Sequence, residues 1–391
     1  MNRKNTPKLR FKEFEKADPW EQRKFSDVVD IGSGMDYKHL GEGDIPVYGT
    51  GGYMLSVDAA LSEDKDAIGI GRKGTIDKPY ILRAPFWTVD TLFYCIPKDG
   101  YDLDFTSCLF QNVDWKKKDE STGVPSLSKV IINNVETAAP SYEEQRKIGD
   151  YFKGIDNLIT LHQRKYEKLK KVKNAYLDEM FPKNGERFPK RRFPGFTDPW
   201  EQRKLGEISN KVTKKNQDAV VDEVFTNSAE FGIISQRDFF EKDIANAENI
   251  DGYYVVESDD FVYNPRISTT APFGPIKRNK LERTGAMSPL YYVFRPYDID
   301  LSYLEWYFQT TCWHAFMRFN GNSGARSDRF AITDKIFNEM PISMPQDIEE
   351  QKLIGTFLTK LESLITLHQR ELDKLKKLKA AYLDAMFVGG K

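Results

Sequence analysis

The sequence predicts an α+β protein: two globular domains at opposite ends of an antiparallel two-helix coiled coil, a tandem repeat with a pseudo-two-fold. Three observations predict it. The run Asp18-Pro19-Trp20-Glu21-Gln22-Arg23-Lys24 recurs letter for letter as Asp198-Pro199-Trp200-Glu201-Gln202-Arg203-Lys204. Residues 143–181 recur without a gap as 349–387, with about 23 of the 39 positions identical. The stretches between the matching pieces differ in length and share almost no identity. The chain is therefore a duplication in which each copy is one variable domain followed by one constant segment. The expected order is a first domain over 1–142, a helix over 143–181, a linker over 182–197, a second domain over 198–348 and a helix over 349–388.

The constant segment is helical by period. Ile155, Ile159, His162, Tyr166 and Leu169 step by four and three, and Leu361, Ile365, His368, Leu372 and Leu375 do the same. That is a heptad seam with the charges outside it. Glu143-Glu144 and Glu349-Glu350 suit a helix N-terminus, and Lys168, Lys170, Lys171 and Lys173 suit the C-terminal side. At 1.5 Å per residue each segment makes a rod of roughly 58 Å. A rod with one apolar seam needs a partner, and the other copy is the obvious one.

The linker sets their direction. Over 182–197 it is basic and rich in Pro and Gly. Fully extended, it reaches about 53–58 Å. A parallel pair would consume nearly all of that in running back along the first rod. An antiparallel pair leaves room for the second domain.

The variable domains read as mixed, with short strands and a longer helix. Ile45-Pro46-Val47-Tyr48 precedes Gly49-Thr50-Gly51-Gly52, and Phe261-Val262-Tyr263 precedes Asn264-Pro265-Arg266. The strand-like Leu92-Phe93-Tyr94-Cys95-Ile96-Pro97 matches Tyr291-Tyr292-Val293-Phe294-Arg295-Pro296. A helix-like stretch follows each, over 103–115 and 301–319.

Several catalytic readings fail on their own terms. Gly69-Ile70-Gly71-Arg72-Lys73-Gly74 has dinucleotide-binding letters, but Pro79 stops the helix that motif needs. A basic loop approaching a phosphate backbone, or a plain structural turn, fits better. Tyr263-Asn264-Pro265-Arg266 lacks the second Pro and the aromatic of the amino-methyltransferase motif. His162 and His368 lie on the seam as packed residues that tune register, without the extra ligands a metal would need. His39 and His314 form no triad, and there is no Walker-type phosphate loop. A binding protein is expected rather than an enzyme, with no metal and no cofactor of its own.

Composition narrows the class. The chain has 391 residues, with 58 Lys+Arg against 59 Asp+Glu, so any nucleic-acid contact must come from local patches. Cys95, Cys108 and Cys312 are an odd set without paired spacing, which suggests reduced thiols in a cytoplasm. No apolar run approaches the ~18–20 residues of a bilayer span, and the N-terminus has no secretory pattern.

Basic and hydroxyl-rich loops recur in both domains. The first has Arg72-Lys73-Gly74-Thr75, Trp115-Lys116-Lys117-Lys118 and Ser126-Leu127-Ser128-Lys129. The second has Arg266-Ile267-Ser268-Thr269-Thr270, Lys277-Arg278-Asn279-Lys280 and Gly321-Asn322-Ser323-Gly324-Ala325-Arg326-Ser327-Asp328-Arg329. Arg and Asn read guanine and adenine edges, while Lys and Thr anchor phosphates. Any one such loop is equally consistent with a solvated surface.

The duplicated plan resembles the specificity subunit of type I restriction–modification enzymes. So do the Asp-Pro-Trp-Glu-Gln-Arg-Lys run ahead of each variable domain and residues 140–145 and 345–351 opening each helix. The resemblance covers essentially the whole chain. It implies target recognition domains that each bind one half of a split site on double-stranded DNA, and constant helices that pair antiparallel and dock two methyltransferase (modification) subunits. It also implies a translocating restriction subunit on that core, S-adenosylmethionine on the partner methyltransferase, and no catalytic residue in this chain. Carried to this sequence, the expected DNA contacts are Arg72, Lys73, Thr75 and Ser126 in the first domain, and Arg266, Thr269, Asn322, Arg326 and Arg329 in the second. Because the two domains differ, the two half-sites should differ. The rival reading is a duplicated adaptor whose end domains bind protein or carbohydrate.

Overall fold

Each copy of the constant segment folds as one unbroken helix, Tyr142–Glu179 and Ile348–Met386. The structure, a computed structural model, describes residues 5–119, 121–183, 185–239, 250–323 and 328–388. The chain divides into two units. Unit 1 comprises Met1–Lys165 with His368–Lys391, and unit 2 comprises Tyr166–Leu367. Each long helix thus begins in one unit and ends in the other.

Unit 1 contains β1 (Glu21–Lys24), α1 (Phe25–Val28), β2 (Val29–Ser33), β3 (Ile45–Gly49), β4 (Gly52–Val57), β5 (Ala67–Gly71), β6 (Tyr80–Leu82), β7 (Trp87–Thr88), β8 (Leu92–Pro97), α2 (Leu103–Asn112), α3 (Lys129–Asn133), β9 (Glu136–Ala139) and the start of α4 (Tyr142–Glu179). One sheet has the order β2-β8-β5-β6 and is antiparallel throughout. A second has the order β4-β3-β7, with β3 and β7 parallel. The repeated Glu-Gln-Arg-Lys forms β1, which pairs with β9 just ahead of α4.

Unit 2 contains β10 (Glu201–Lys204), α5 (Leu205–Ile208), β11 (Ser209–Lys211), β12 (Val224–Ser228), β13 (Gly232–Ser235), α6 (Gln236–Phe239), β14 (Tyr254–Val256), β15 (Phe261–Tyr263), β16 (Ile276–Arg278), β17 (Gly285–Met287), β18 (Tyr292–Pro296), α7 (Leu301–Tyr307), α8 (His314–Asn320), β19 (Asn322–Ser323), β20 (Phe330–Ala331), α9 (Asp334–Asn338), β21 (Pro341–Met344) and the start of α10 (Ile348–Met386). Its sheets run β11-β18-β15-β16 and β13-β12-β17-β14, with β12 and β17 parallel. With β10 paired to β21 as β1 is to β9, this is the topology of unit 1 extended by β14 and by the two-stranded β19-β20. The strand-like segments matched in the sequence are β8 and β18. Both pair antiparallel with the first strand of their sheet, β2 or β11, and with β5 or β15.

The constant residues lock each domain to its long helix. The Gln145 Oε1 accepts from the Asp102 N–H at 3.1 Å, and the Gln351 Oε1 accepts from the Asp300 N–H at 2.9 Å. Asp102 and Asp300 in turn cap α2 and α7 by accepting from the N–H of Phe105 and Tyr303. A Cβ on Gly149 would lie 2.5 Å from Asp102, and one on Gly355 would lie 2.8 Å from Ser302. Only glycine permits that approach. Arg10 and Arg192 make two-toothed contacts with Glu144 and Glu350, both carboxylates 1% exposed.

The seam residues are all buried or half-buried. In unit 1, Lys379 Nζ lies 2.6 Å from Asp156 and the Nδ1 atoms of His162 and His368 are 3.1 Å apart. In unit 2, Lys173 Nζ lies 2.6 Å from Glu362, and the Tyr176 and Phe357 rings meet at 4.8 Å. Within each unit the partner's number falls as α4 advances. The ion pairs are repeat copies: Asp156 corresponds to Glu362, and Lys379 to Lys173.

Three expectations are corrected. The lysines at 168–173 do not reach the end of α4: its last turn carries Asp178 and Glu179, and Glu179 pairs with Arg191. The stretch 301–319 is two helices rather than one, because the chain turns at Phe308–Trp313, where the Thr310 hydroxyl donates to the Tyr307 carbonyl at 2.6 Å. Gly69 and Gly71 are not in a phosphate-approach loop. They lie in β5, buried throughout, and a Cβ on Gly71 would fall 2.0 Å from the Thr75 carbonyl oxygen.

Candidate nucleic-acid interface

In unit 1 the central strand β5 delivers the chain to Arg72 and Lys73. There it meets the late polar loop. Leu127 N–H donates to the Arg72 carbonyl at 2.9 Å and Gly74 N–H to the Pro125 carbonyl at 2.9 Å, so Lys73 and Ser126 stand opposite each other in an antiparallel bridge. Asp119 shapes the late loop by accepting from the N–H groups of Ser121 and Ser126, both at 3.0 Å. Those bonds hold its carboxyl below the usual range. Ser128 then caps α3 by accepting from the Ile131 N–H.

The result is an open cleft of about 440 Å³ lined by Arg72, Lys73 and Lys129, by Ser33, Ser126 and Ser128, and by Phe93 and Leu127. The Arg72 guanidinium sits 5.9 Å and the Lys129 ammonium 6.0 Å from the Phe93 ring centre. Lys129 also donates to the Ile31 carbonyl at 2.8 Å. Among the described residues, no carboxylate forms an ion pair with Arg72, Lys73 or Lys129. Elsewhere in the unit, Lys116 is neutralised by Asp77 and Arg83 by Asp66. Three uncompensated cations with three serines around one cleft suit an anion or the acceptor edge of a guanine.

Unit 2 builds the same junction. Ile267 N–H donates to the Asp328 carbonyl at 3.0 Å and Phe330 N–H to the Pro265 carbonyl at 2.8 Å, so Arg266 and Arg329 stand opposite each other. The ladder matches bond for bond: Arg266 takes the place of Lys73, and Arg329 that of Ser126. Asn264 organises the turn, accepting from the Arg266 N–H at 2.9 Å and donating to the Asn227 carbonyl at 2.8 Å. The Arg266 side chain is 71% exposed and 4.0 Å from Asp328.

Six of the expected contact residues fall at these junctions or beside them: Arg72, Lys73 and Ser126 in unit 1, Arg266 and Arg329 in unit 2, and Asn322, exposed on β19 and paired with Ala331. Thr75 is half-buried and is not among the residues lining this cleft. Thr269 is exposed in a turn closed by Ser268 and Ala271, apart from the ladder. Arg326 lies outside the described residues. Sequence reasoning missed Ser33, Phe93 and Lys129 as lining groups. Lys129 belongs to the loop over 126–129 already marked as basic, though it was not singled out there, but Phe93 is brought in only by strand pairing.

The family described as Type I restriction modification DNA specificity domain matches residues 17–171 and 197–377. The chain is 24% identical over 292 residues to the type I restriction enzyme MjaVIII specificity subunit of Methanocaldococcus jannaschii, covering 70% of this chain and 66% of that protein. It is 27% identical over 229 residues to the MjaIX specificity subunit of the same organism, covering 48% of this chain and 51% of that protein. The matches thus span just under two thirds and about half of these curated relatives. In fold it is similar to the S subunit of a type I restriction-modification system from M. genitalium, with a TM-score of 0.67, 14% identity, and coverage of 98% and 99% of the two chains. Among the described residues, no helix is long and apolar enough to cross a membrane.

Proposed function

Because the chain belongs to the family of type I restriction modification DNA specificity domains, we propose that it is the non-catalytic, sequence-reading subunit of such a complex, acting on double-stranded DNA in the cytoplasm. Each variable domain reads one half of a bipartite, asymmetric site through the junction where the central strand meets the late polar loop. The observation that carries this reading is the repeated ladder, Lys73 opposite Ser126 and Arg266 opposite Arg329. Two domains with almost no shared sequence build the same junction and place cations on it.

The contacts of α4 and α10 within each unit support an antiparallel coiled coil as the spacer between the readers. Its outer face supports docking of two modification subunits. Leu158 and Leu161 are 47% and 46% exposed, and their repeat counterparts Leu364 and Leu367 are 45% and 51% exposed. Large apolar residues repeated outside a buried seam suit a partner helix. S-adenosylmethionine then belongs to those subunits, and a restriction subunit joins the assembled core. A near-neutral chain relies on these partners for much of its phosphate contact.

The test is DNA binding by the chain with and without a modification subunit, together with genome-wide mapping of methylated bases in cells with and without this chain. The expected result is one split motif whose methylation disappears with the chain. Unchanged methylation, or binding to protein or glycan but not DNA, overturns the reading.

A further inference from the structure

We infer that a tyrosine-lined cleft of unit 2 takes one unstacked nucleobase of the second half-site. The inference rests on the DNA-reading function proposed above and assigns a ligand to a cleft at the same junction.

Strand register identifies the cleft with that of unit 1. Phe93, opposite Ile70 in β5, corresponds to Tyr292, opposite Tyr263 in β15. The ladder places Pro265 where Arg72 stands and Phe330 where Leu127 stands. The position is the same and the chemistry is different. In place of the three cations, unit 2 surrounds about 200 Å³ with Tyr254, Tyr263, Tyr291, Tyr292, Phe330 and Phe337. That is below the roughly 300–1,000 Å³ of pockets for drug-sized ligands, and it suits a single planar ring better than a whole nucleotide.

The walls are held in place. The Tyr263 hydroxyl donates to the Phe273 carbonyl at 3.0 Å, the Tyr292 hydroxyl donates to Asn338 Oδ1 at 2.6 Å, and the Tyr291 hydroxyl lies 3.2 Å from the Thr226 hydroxyl. Tyr263 stacks on Phe337 at 4.8 Å. Rings fixed by their hydroxyls are preorganised stacking surfaces. Tyr254 is less buried and carries the Lys215 ammonium 3.4 Å from its ring centre.

One polar feature marks the ligand as more than a hydrophobe. Lys211 pairs with Asp334 and lies 5.5 Å from the Tyr292 ring and 5.9 Å from the Tyr254 ring. An ammonium and a carboxylate side by side offer a donor to a ring nitrogen or keto oxygen and an acceptor for an exocyclic amine. Those are the groups on a base edge. The cleft lies beside the cationic junction, since its lining residues Pro265 and Phe330 are the chain neighbours of Arg266 and Arg329. A duplex held by those arginines presents its bases to the cleft.

The experiment uses the full complex with its modification subunits and cognate duplex in which 2-aminopurine is walked across the second half-site. One position, distinct from the base that the complex methylates, is expected to brighten. Tyr254→Ala should return that position to its duplex level and weaken cognate binding about ten- to a hundred-fold, the range one base–aromatic stack supports. Tyr254→Phe should keep both. Asp334→Asn should change the base preferred there and leave the first half-site unaffected. Absence of a bright position apart from the methylated base, or brightness unchanged in Tyr254→Ala, overturns the cleft assignment alone. Failure of the wild-type complex to bind any DNA overturns the DNA-reading function itself. Quenching of the cleft tyrosines by a modification subunit in the absence of DNA would assign the cleft to that partner instead.

Discussion

His162 and His368 occupy the same position of the two repeats and face each other across the seam, Nδ1 to Nδ1 at 3.1 Å with their rings inclined at 65°. One imidazole must donate and the other accept, so at least one is neutral in this arrangement.

The contact links stability to pH. Burial, then His162 and Lys165, lower the His368 pKa below its ordinary value. The unfolded chain therefore binds more protons across the window between the lowered value and about 6.5. Stability contributed here is fully present above that window and declines as pH falls from about 6.5. Thermal unfolding between pH 7.5 and pH 5 should show that decline, and His368→Leu should flatten it. A wild-type melting temperature that is constant over the range contradicts the linkage.

Arg10→Ala should be among the most damaging single changes in unit 1. Glu144 is 1% exposed and meets Arg10 through two contacts, at 2.6 and 2.7 Å. Truncation leaves a buried carboxylate with the Trp20 indole N–H at 3.3 Å but without its counter-charge, at a cost of about 3–5 kcal/mol. Denaturant unfolding should show that loss. The double change Arg10→Met with Glu144→Leu should recover part of it, because a buried apolar pair needs no counter-charge, although the buried Trp20 indole N–H then loses its acceptor.

Arg266→Ala should relax the second half-site and leave the first intact, with a loss of about 1–3 kcal/mol at one base position where the guanidinium reads a base edge. Lys129→Ala should act on the first half-site through its cleft. The readout is binding to a panel of sites substituted in one half at a time, at two salt concentrations. Loss that is uniform over all sequences, with a shallower salt slope, identifies a phosphate contact instead.

Gly71→Ala should destabilise unit 1 without any direct effect on DNA. The added methyl would lie 2.0 Å from the Thr75 carbonyl, a backbone atom that cannot swing aside. Overpacking of this kind costs about 1–3 kcal/mol. Denaturant unfolding reads the loss, and cognate affinity measured on the folded fraction should hold.

The duplication, the two long helices and their seams were legible from the sequence because a helix writes its buried face at a fixed short period. Ile155, Ile159, Leu361 and Leu372 could be placed without knowing anything distant in the chain. The same locality made the polar loops of the readers visible as composition. What the sequence could not show is which loops meet. Lys73 reaches Ser126, and Arg266 reaches Arg329, only through strand pairing that joins residues far apart in the chain. Phe93 and Tyr292 come to line equivalent clefts by the same non-local register. The role of the glycines was misread for a related reason: Gly71 is glycine because of a carbonyl folded back against it, and no local pattern records such a contact. Periodicity is a property of neighbouring residues and is written in their order. The clefts arise from backbone ladders between unlike segments, and only the folded chain specifies those.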